Sequence, residues 1–193
     1  MQNEGVDKVE RYSSGGLVMG VTGLVLVAAV MIYGLADPEA GFAPWAYPLC
    51  LLIGVLTWLV LVRPALRLHP DELELRNVLH TRWVPYAVVT GVEIAQVTVV
   101  KVGEQRYIGS GFGRTRRTIR QDGRAAHDTP LEKRSTAWLI ENKIERRVAA
   151  ARERRTDAAA GAASAEVRQA WAWPEIVALG VLAAATLVLA LVG

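Results

Sequence analysis

Three long runs without a charged residue constrain this chain more than any other feature of its sequence. Each run is close to the roughly 20 residues that an α-helix needs to cross about 30 Å of hydrocarbon. Helices of a soluble core usually keep a polar face, and these runs show none, which disfavours buried core helices. The runs are Leu17 to Leu35, Pro44 to Val62 and Ile176 to Val192. We therefore predict a transmembrane hairpin over 17–62, with spans at 17–35 and 44–62, and a third transmembrane helix over 173–192.

The basic residues are concentrated in one part of the chain. Of the 22 lysines and arginines, all but Lys8 and Arg11 lie between Arg63 and Arg168, and the short loop 36–43 has none. Basic residues in the short flanks of membrane spans stay on the cytoplasmic side. The sequence thus predicts a multi-pass membrane protein. The tail 1–16 and residues 63–172 are predicted to be cytoplasmic, and the loop 36–43 and the C-terminus to lie outside.

A cleaved signal peptide is the alternative for the first run. The charged tail, the apolar run and Gly34-Leu35-Ala36 imitate the three regions of such a peptide. The run is longer than the roughly 7–15 apolar residues that a signal peptide prefers, which favours an uncleaved anchor. The polar residues before the run are predicted to form a short disordered tail.

Short alternating segments after Arg63 predict an antiparallel sheet. Leu66 and Leu68 alternate with polar residues, and so do Leu73 and Leu75, as in half-buried strands. Turn signals separate these segments from further strands. The further strands are predicted at 82–84, within 88–100, at 105–109 and at 115–120. Short strands joined by turns favour a sheet that curls into a sandwich or barrel. The glycine-rich run 109–113 lacks the Lys-Ser/Thr ending of a phosphate-binding loop and favours a flexible hairpin or bulge.

An amphipathic helix is predicted after the strands. Thr129, Pro130 and Glu132 have the spacing of a helix start with a capping box. One apolar stripe follows at spacings of three and four, which predicts a helix packed against the sheet. The stripe consists of Ala137, Ile140, Ile144, Val148 and Ala151. The helix completes a predicted domain over 63–154, and an alanine-rich linker, or a helical extension, is predicted over 155–172.

The segment that follows the hairpin resembles a known family. It carries Arg63-Pro64, Asp71-Glu72, Arg76-Asn77, Arg82-Trp83-Val84-Pro85-Tyr86 and the valine-rich Val88 to Ile94. Over about residues 50 to 150 the chain is similar to the small bacterial pleckstrin-homology (PH) domain of actinobacterial membrane proteins, a family named after a low-molecular-weight antigen. The resemblance implies an α+β PH-like domain, with a bent antiparallel sheet capped by one C-terminal helix, at a membrane address.

The candidate site with the clearest signal is a cluster of arginines. It is predicted to contact the phosphates of anionic lipid headgroups, with each residue contributing about 1 kcal/mol near the membrane surface. A solvated basic face and a protein contact are the alternatives. Nucleic acid is a disfavoured partner, because only Phe112 is close enough to stack on bases. The cluster consists of Arg114, Arg116, Arg117, Arg120 and Arg124.

Two further groups of residues are candidates for contacts, the first for helix–helix packing and the second for a partner protein. Gly16, Gly20 and Gly23 have the small-residue spacing that lets another helix approach closely. Trp138 and Leu139 flank the apolar stripe of the amphipathic helix, where they widen the contact with the sheet or meet a partner.

No pattern in the sequence predicts catalysis, a metal or a cofactor. The three histidines have no ligand spacing, the carboxylates form no recognisable pair, and the lone Cys50 lies inside the second run. The sequence therefore predicts a non-enzymatic membrane protein whose PH-like domain is a scaffold or an accessory subunit of a membrane complex. The alternative is a module that senses an anionic lipid or another ligand through the arginine cluster.

Overall fold

The structure is a computed structural model that describes residues 9–13, 16–37, 42–116, 118–120, 135–157 and 166–192. The chain divides into two compact units. The polar unit comprises 1–14, 65–77 and 81–170, and the apolar unit comprises 15–64, 78–80 and 171–193.

Six of the eight described strands follow one another between two of the α-helices. In chain order the elements are β1 (Glu10–Tyr12), α1 (Gly16–Ala36), α2 (Ala46–Thr57) with a π-helical continuation (Trp58–Val62), β2 (Ala65–Leu68), β3 (Glu72–Arg76), β4 (His80–Pro85), a 3-10 turn (Tyr86–Val88), β5 (Gly91–Ile94), β6 (Thr98–Val102), β7 (Gln105–Gly109), α3 (Thr136–Asp157), β8 (Arg168–Trp171) and α4 (Trp173–Val192). The protein is therefore of the α+β class, as the sequence predicts.

Two helices of the apolar unit, α1 and α4, are long and apolar enough to cross a membrane. Almost none of their residues is buried within the chain, which distinguishes them from the core helices of a soluble protein. The helix between them, Ala46–Val62, is apolar but shorter than these two. The end of α1 contacts the start of α2, where the Tyr47 hydroxyl donates a hydrogen bond of 2.9 Å to the Gly34 carbonyl.

Three glycines let α1 approach the end of α2 and its continuation. A Cβ added to Gly20 would lie 2.6 Å from Cγ2 of Val62, and one added to Gly23 would lie 3.1 Å from Cγ2 of Thr57. A Cβ added to Gly16 would lie 3.3 Å from the carbonyl oxygen of Leu61. These glycines thus pack inside the helix pair, and a contact with a second protein at the same residues stays a prediction.

Arg63, which follows the helical segment that ends at Val62, makes its contacts within the apolar unit. Arg63 is buried, its guanidinium lies 3.4 Å from the Glu175 carboxylate, and it donates a 2.9 Å hydrogen bond to the Val78 carbonyl. Glu175 lies in the first turn of α4, where a negative charge favours the helix dipole. The ion pair therefore connects the start of α4 to the residue that follows α2.

The strands of the polar unit form two antiparallel groups among the described residues. One sheet has the order β1-β2-β3-β4-β8 and the other has the order β5-β6-β7. Strand β1 pairs with β2 so that Glu10 faces Leu68 and Tyr12 faces Leu66. The two groups and α3 enclose one apolar core that contains Leu66, Leu73, Tyr86, Val100 and Ile144.

The structure corrects the sequence prediction in three segments. Glu10–Tyr12, predicted to be disordered, is a strand because it pairs with β2, which follows α1 and α2 in the sequence. Strand β8 lies in the predicted linker; all four of its residues are exposed, so no alternation marks it as a strand. Where the strand 115–120 is predicted, the described residues 116 and 118–120 are instead helical, and the Ile119 amide donates to the Thr115 carbonyl.

The glycine-rich run 109–113 is a packed crossing and not a flexible loop. A Cβ added to Gly111 would lie 2.2 Å from the backbone nitrogen of Ala65, and one added to Gly113 would lie 2.0 Å from the Gln96 carbonyl oxygen. Asn77 and Thr98 fix the run through hydrogen bonds to Ser110 and to the Phe112 carbonyl. The glycines are required because backbone atoms occupy the place of any side chain.

Candidate functional site: the basic groove along helix α3

Helix α3 has a buried face and an open face. The predicted apolar stripe is confirmed, since all five of its residues are buried. The Ser135 hydroxyl accepts a 3.1 Å hydrogen bond from the Trp138 amide and caps the described start of the helix. The predicted capping box at Thr129, Pro130 and Glu132 lies outside the described residues.

The open face of α3 lines a groove of about 700 Å³ together with strand β1. This volume is in the range of sites that take small ligands or side chains, which is roughly 300–1,000 Å³. Three cations line the groove beside apolar side chains, and none of its described lining residues is acidic. The lining residues are Tyr12, Thr136, Leu139, Ile140, Lys143, Arg146, Arg147 and Ala150. We call this surface the α3 groove.

A carboxylate from β1 lies at the edge of the α3 groove. The Lys143 ammonium donates to both oxygens of Glu10, at 2.6 and 2.7 Å, and Arg147 donates to the same carboxylate at 3.3 Å. The Tyr12 hydroxyl also donates to Glu10. One carboxylate is therefore shared by two cations, and it attaches the three-residue strand β1 to α3.

The surroundings of Glu10 shift the pKa values of both acids on β1. Burial raises the pKa of Glu10, but the hydrogen bonds and charges of Lys143 and Arg147, together with the Tyr12 hydroxyl, leave it below its ordinary value. Burial, followed by the hydrogen bond to the Glu10 carboxylate, raises the pKa of Tyr12 to about 12. Glu10 is therefore a carboxylate, and Tyr12 a neutral donor, at neutral pH.

Arg147 is held in place before any ligand binds. It donates a 2.8 Å hydrogen bond to the His69 carbonyl and lies 3.5 Å from the hydroxyl of Tyr86. Tyr86 is fully buried, and that burial raises its pKa. Fixed contacts of this kind reduce the side-chain entropy that an arginine loses on binding an anion.

Glu10→Gln is expected to weaken the attachment of β1 in a pH-dependent way. The folded-state pKa of Glu10 lies below its ordinary value of 4.5, so the carboxylate stabilises the fold fully above pH 4.5 and loses this effect as pH falls through the lowered pKa. We expect a loss of about 1 kcal/mol at pH 7 that shrinks below pH 4.5.

Thermal unfolding of the full chain in a neutral detergent, between pH 3.5 and pH 7, measures this effect. Glu104→Gln is the control, because Glu104 is exposed in the turn between β6 and β7. A constant difference between wild type and Glu10→Gln across this pH range would contradict the assigned role of the carboxylate.

The structure separates the members of the arginine cluster. Arg116 and Arg120 are exposed on the helical turn after Thr115, four residues apart and so on one side of it. Arg114 instead forms an ion pair with Glu141 of α3 and is mostly buried. Arg117 and Arg124 lie outside the described residues. Lipid contact stays a prediction, for which Arg116 and Arg120 are the accessible described candidates.

Glu141 has an unusual environment for an acid. Burial raises its pKa, although the Arg114 charge and the amide of Ile94, which donates at 3.2 Å, both lower it. The Arg114 charge therefore opposes, without reversing, the rise in pKa that burial causes. The ion pair of Arg114 with Glu141 connects the segment after the glycine-rich run to α3.

The predicted partner residues on α3 divide between its two faces. Leu139 is exposed and lines the α3 groove, whereas Trp138 is half-buried and does not line it. Contact of either residue with a partner stays a prediction. Its place in the groove gives Leu139 a specific neighbourhood of Ile140 and Lys143.

The described part of the chain holds no group of three or more metal-ligating side chains. His69 lies 2.8 Å from the Glu74 carboxylate, which Arg67 also approaches at 3.4 Å. Glu74 is buried on β3 and is paired with Arg67 of β2. The cluster therefore links these two neighbouring strands.

The α3 groove was not predicted from the sequence, although part of the sequence signal for it is local. Lys143, Arg146 and Arg147 are spaced by three and four residues, which places them side by side on a helix. The contribution of Glu10 has no local signal, because β1 reaches α3 only by pairing with β2 across the inserted helices.

Comparisons of this chain with protein-family models, with curated proteins and with solved structures find no match.

Proposed function

We propose that this chain is a non-enzymatic integral protein of a bacterial inner membrane, whose cytoplasmic PH-like unit is a scaffold or accessory subunit of a membrane complex. The observation that carries the proposal is the α3 groove, an open surface in which exposed apolar and cationic side chains stand together. Such mixed surfaces suit contacts with other proteins.

The pairing of β1 with β2 supports the proposed topology. Helix α1 begins a few residues after β1, and β2 begins shortly after the helical segment that ends at Val62. Two strands that share hydrogen bonds lie on the same side of a bilayer, so the chain between them leaves that side and returns to it. This supports two crossings over 17–62, and the length and apolar composition of α4 support a third.

The order of elements supports a PH-like domain. Strands β1 to β4 and β5 to β7 form two antiparallel groups, and the amphipathic helix α3 follows and packs on them. This is the order that the family resemblance implies. Two features differ from it: a helical pair is inserted between β1 and β2, and β8 is added next to β4.

Gentle purification tests the scaffold function directly. The full chain, carrying a C-terminal affinity tag, is extracted from its native membrane in a mild detergent, and copurifying proteins are quantified by mass spectrometry. We expect one or more membrane proteins in stoichiometric amounts. The control variant Arg114→Lys keeps a positive charge beside Glu141 of α3 and is expected to retain these proteins. A chain that purifies alone from several detergents would contradict the scaffold function.

The second candidate function is contact with anionic lipid, which the exposure of Arg116 and Arg120 favours. In native mass spectrometry of the full chain, Arg116→Ala/Arg120→Ala is expected to retain less phosphatidylglycerol than wild type. Arg106→Ala is the matched control, since Arg106 is an exposed arginine on β7. Equal retention by both variants would exclude a role for this pair.

A further inference from the structure

We propose that the α3 groove is the docking site for an acidic and apolar peptide segment of a partner protein, and that Glu10 occupies one end of this site as an internal carboxylate. The inference rests on the proposed scaffold function and names the chemistry of the partner. It uses residues of α3 and β1 and does not involve the arginine cluster at 114–124.

The charges of the groove require an anion. Lys143, Arg146 and Arg147 line it, and Glu10 is shared between the first and the last of them. Arg146 is exposed, and its described hydrogen bond is a weak one of 3.4 Å to the Asn142 carbonyl of its own helix. Among the described residues, one carboxylate against three cations leaves an excess of positive charge, which attracts an acidic partner and raises its association rate.

The shape of the groove favours a peptide over a single anionic group. Its lining residues run along α3 from Thr136 to Ala150, a length of about 21 Å at 1.5 Å per residue. An extended peptide of about six residues covers this distance at roughly 3.3 Å per residue. A phosphate or carboxylate alone would contact only the cationic end.

The order of side chains along the groove specifies the peptide further. The exposed Leu139 lies one helical turn before Lys143, and Arg146 and Arg147 lie one turn after it. A peptide with an apolar side chain near Leu139 and acidic side chains near the cations satisfies both parts of the groove. Glu10 shows that a carboxylate fits between Lys143 and Arg147.

The test uses the full chain in a neutral detergent and two fluorescent hexapeptide probes. One probe alternates glutamate and leucine, the other alternates lysine and leucine, and fluorescence anisotropy measures their binding. We expect the acidic probe to bind and the basic probe not to bind. Arg146→Glu is expected to lower the affinity for the acidic probe by at least about tenfold, because it reverses a charge that lines the groove. Arg146 makes no described contact with β1, so the variant is expected to leave the attachment of that strand intact.

Matched variants distinguish a groove effect from a net-charge effect. Arg154→Glu makes the same charge change on the same helix, where Arg154 is exposed beside Asp71, and is expected to leave the affinity within about twofold. Glu10→Gln is expected to tighten binding severalfold, because it removes the internal competitor. Unfolding temperatures of all variants identify any that fail to fold.

Three outcomes would overturn the inference. In the first, the two probes bind equally, and in the second, Arg146→Glu and Arg154→Glu weaken the binding of the acidic probe equally. In the third outcome, phosphatidylglycerol in mixed micelles displaces the probe and is itself retained only when Arg146 is present, which makes the groove a lipid site. If a stoichiometric complex is found but the acidic probe does not bind, the scaffold function is supported and the docking role of the groove is refuted. If the probe binds but no complex is found, the docking role is supported and the scaffold function is refuted.

Discussion

Gly111→Ala is expected to destabilise the polar unit by about 3 kcal/mol or more, because the added methyl group would meet backbone atoms. The new Cβ would lie 2.2 Å from the backbone nitrogen and 2.4 Å from the Cα of Ala65, the first residue of β2. Overpacking against side chains costs roughly 1–3 kcal/mol because side chains rotate away. Backbone atoms of a paired strand have no such freedom.

The crossing has little room to move away from the clash. The Asn77 carboxamide accepts hydrogen bonds from the Ser110 amide and hydroxyl, at 2.8 and 3.0 Å, and the Thr98 hydroxyl donates to the Phe112 carbonyl at 2.9 Å. Shifting the run would break these buried hydrogen bonds, each of which contributes roughly 1 kcal/mol.

The unfolding temperature of the full chain in detergent measures the effect of Gly111→Ala. Gly91→Ala is the matched control, because its Cβ would lie 3.8 Å from a Lys101 side-chain atom, an ordinary contact. We expect the control to unfold within a few degrees of wild type. A Gly111→Ala protein as stable as the control would show that the run is as flexible as its composition suggests.

Arg114→Ala is expected to destabilise the chain by about 2 kcal/mol at neutral pH, because it leaves the half-buried Glu141 carboxylate without its cation. Burial already raises the pKa of Glu141, and removing the Arg114 charge raises it further. A raised pKa means that the folded state binds the proton more tightly, so stability falls as pH rises. The cost of Arg114→Ala is therefore expected to be larger at pH 8 than at pH 5.

A double-mutant cycle tests this assignment. Glu141→Gln in the Arg114→Ala background removes the charge and keeps an acceptor for the Ile94 amide, so we expect it to recover part of the lost stability. Arg116→Ala is the control, since Arg116 is exposed in the same segment. A cost that is independent of pH, or no recovery in the double variant, would contradict a charge-based role for Arg114.

The parts of the fold that depend on local periodicity could be predicted from the sequence. The buried stripe of α3 follows from apolar residues at spacings of three and four, and β2 and β3 follow from alternation of leucines with polar residues. Strands β1 and β8 could not be predicted this way. The first is three residues long, the second is fully exposed, and each exists because distant chain supplies a partner.

The site was harder to predict than the fold because composition does not specify partners. Five arginines in one segment predict a single basic surface, but Arg114 is used in a buried ion pair and only part of the cluster stays accessible. Lys143 and Arg147 acquire their role from Glu10, which lies more than a hundred residues away in sequence. Long-range pairing is not visible in any sequence window.

The most direct test of the account is a cysteine-accessibility measurement on both sides of the inner membrane. In a Cys50→Ser background, single cysteines are introduced as Gln2→Cys, Glu39→Cys and Ala163→Cys, and spheroplasts are treated with a membrane-impermeant maleimide. We expect Glu39→Cys to react in intact spheroplasts, and Gln2→Cys and Ala163→Cys to react only after permeabilisation, because β1 and β2 pair on one side. Labelling of Gln2→Cys and Ala163→Cys from opposite sides would contradict the account.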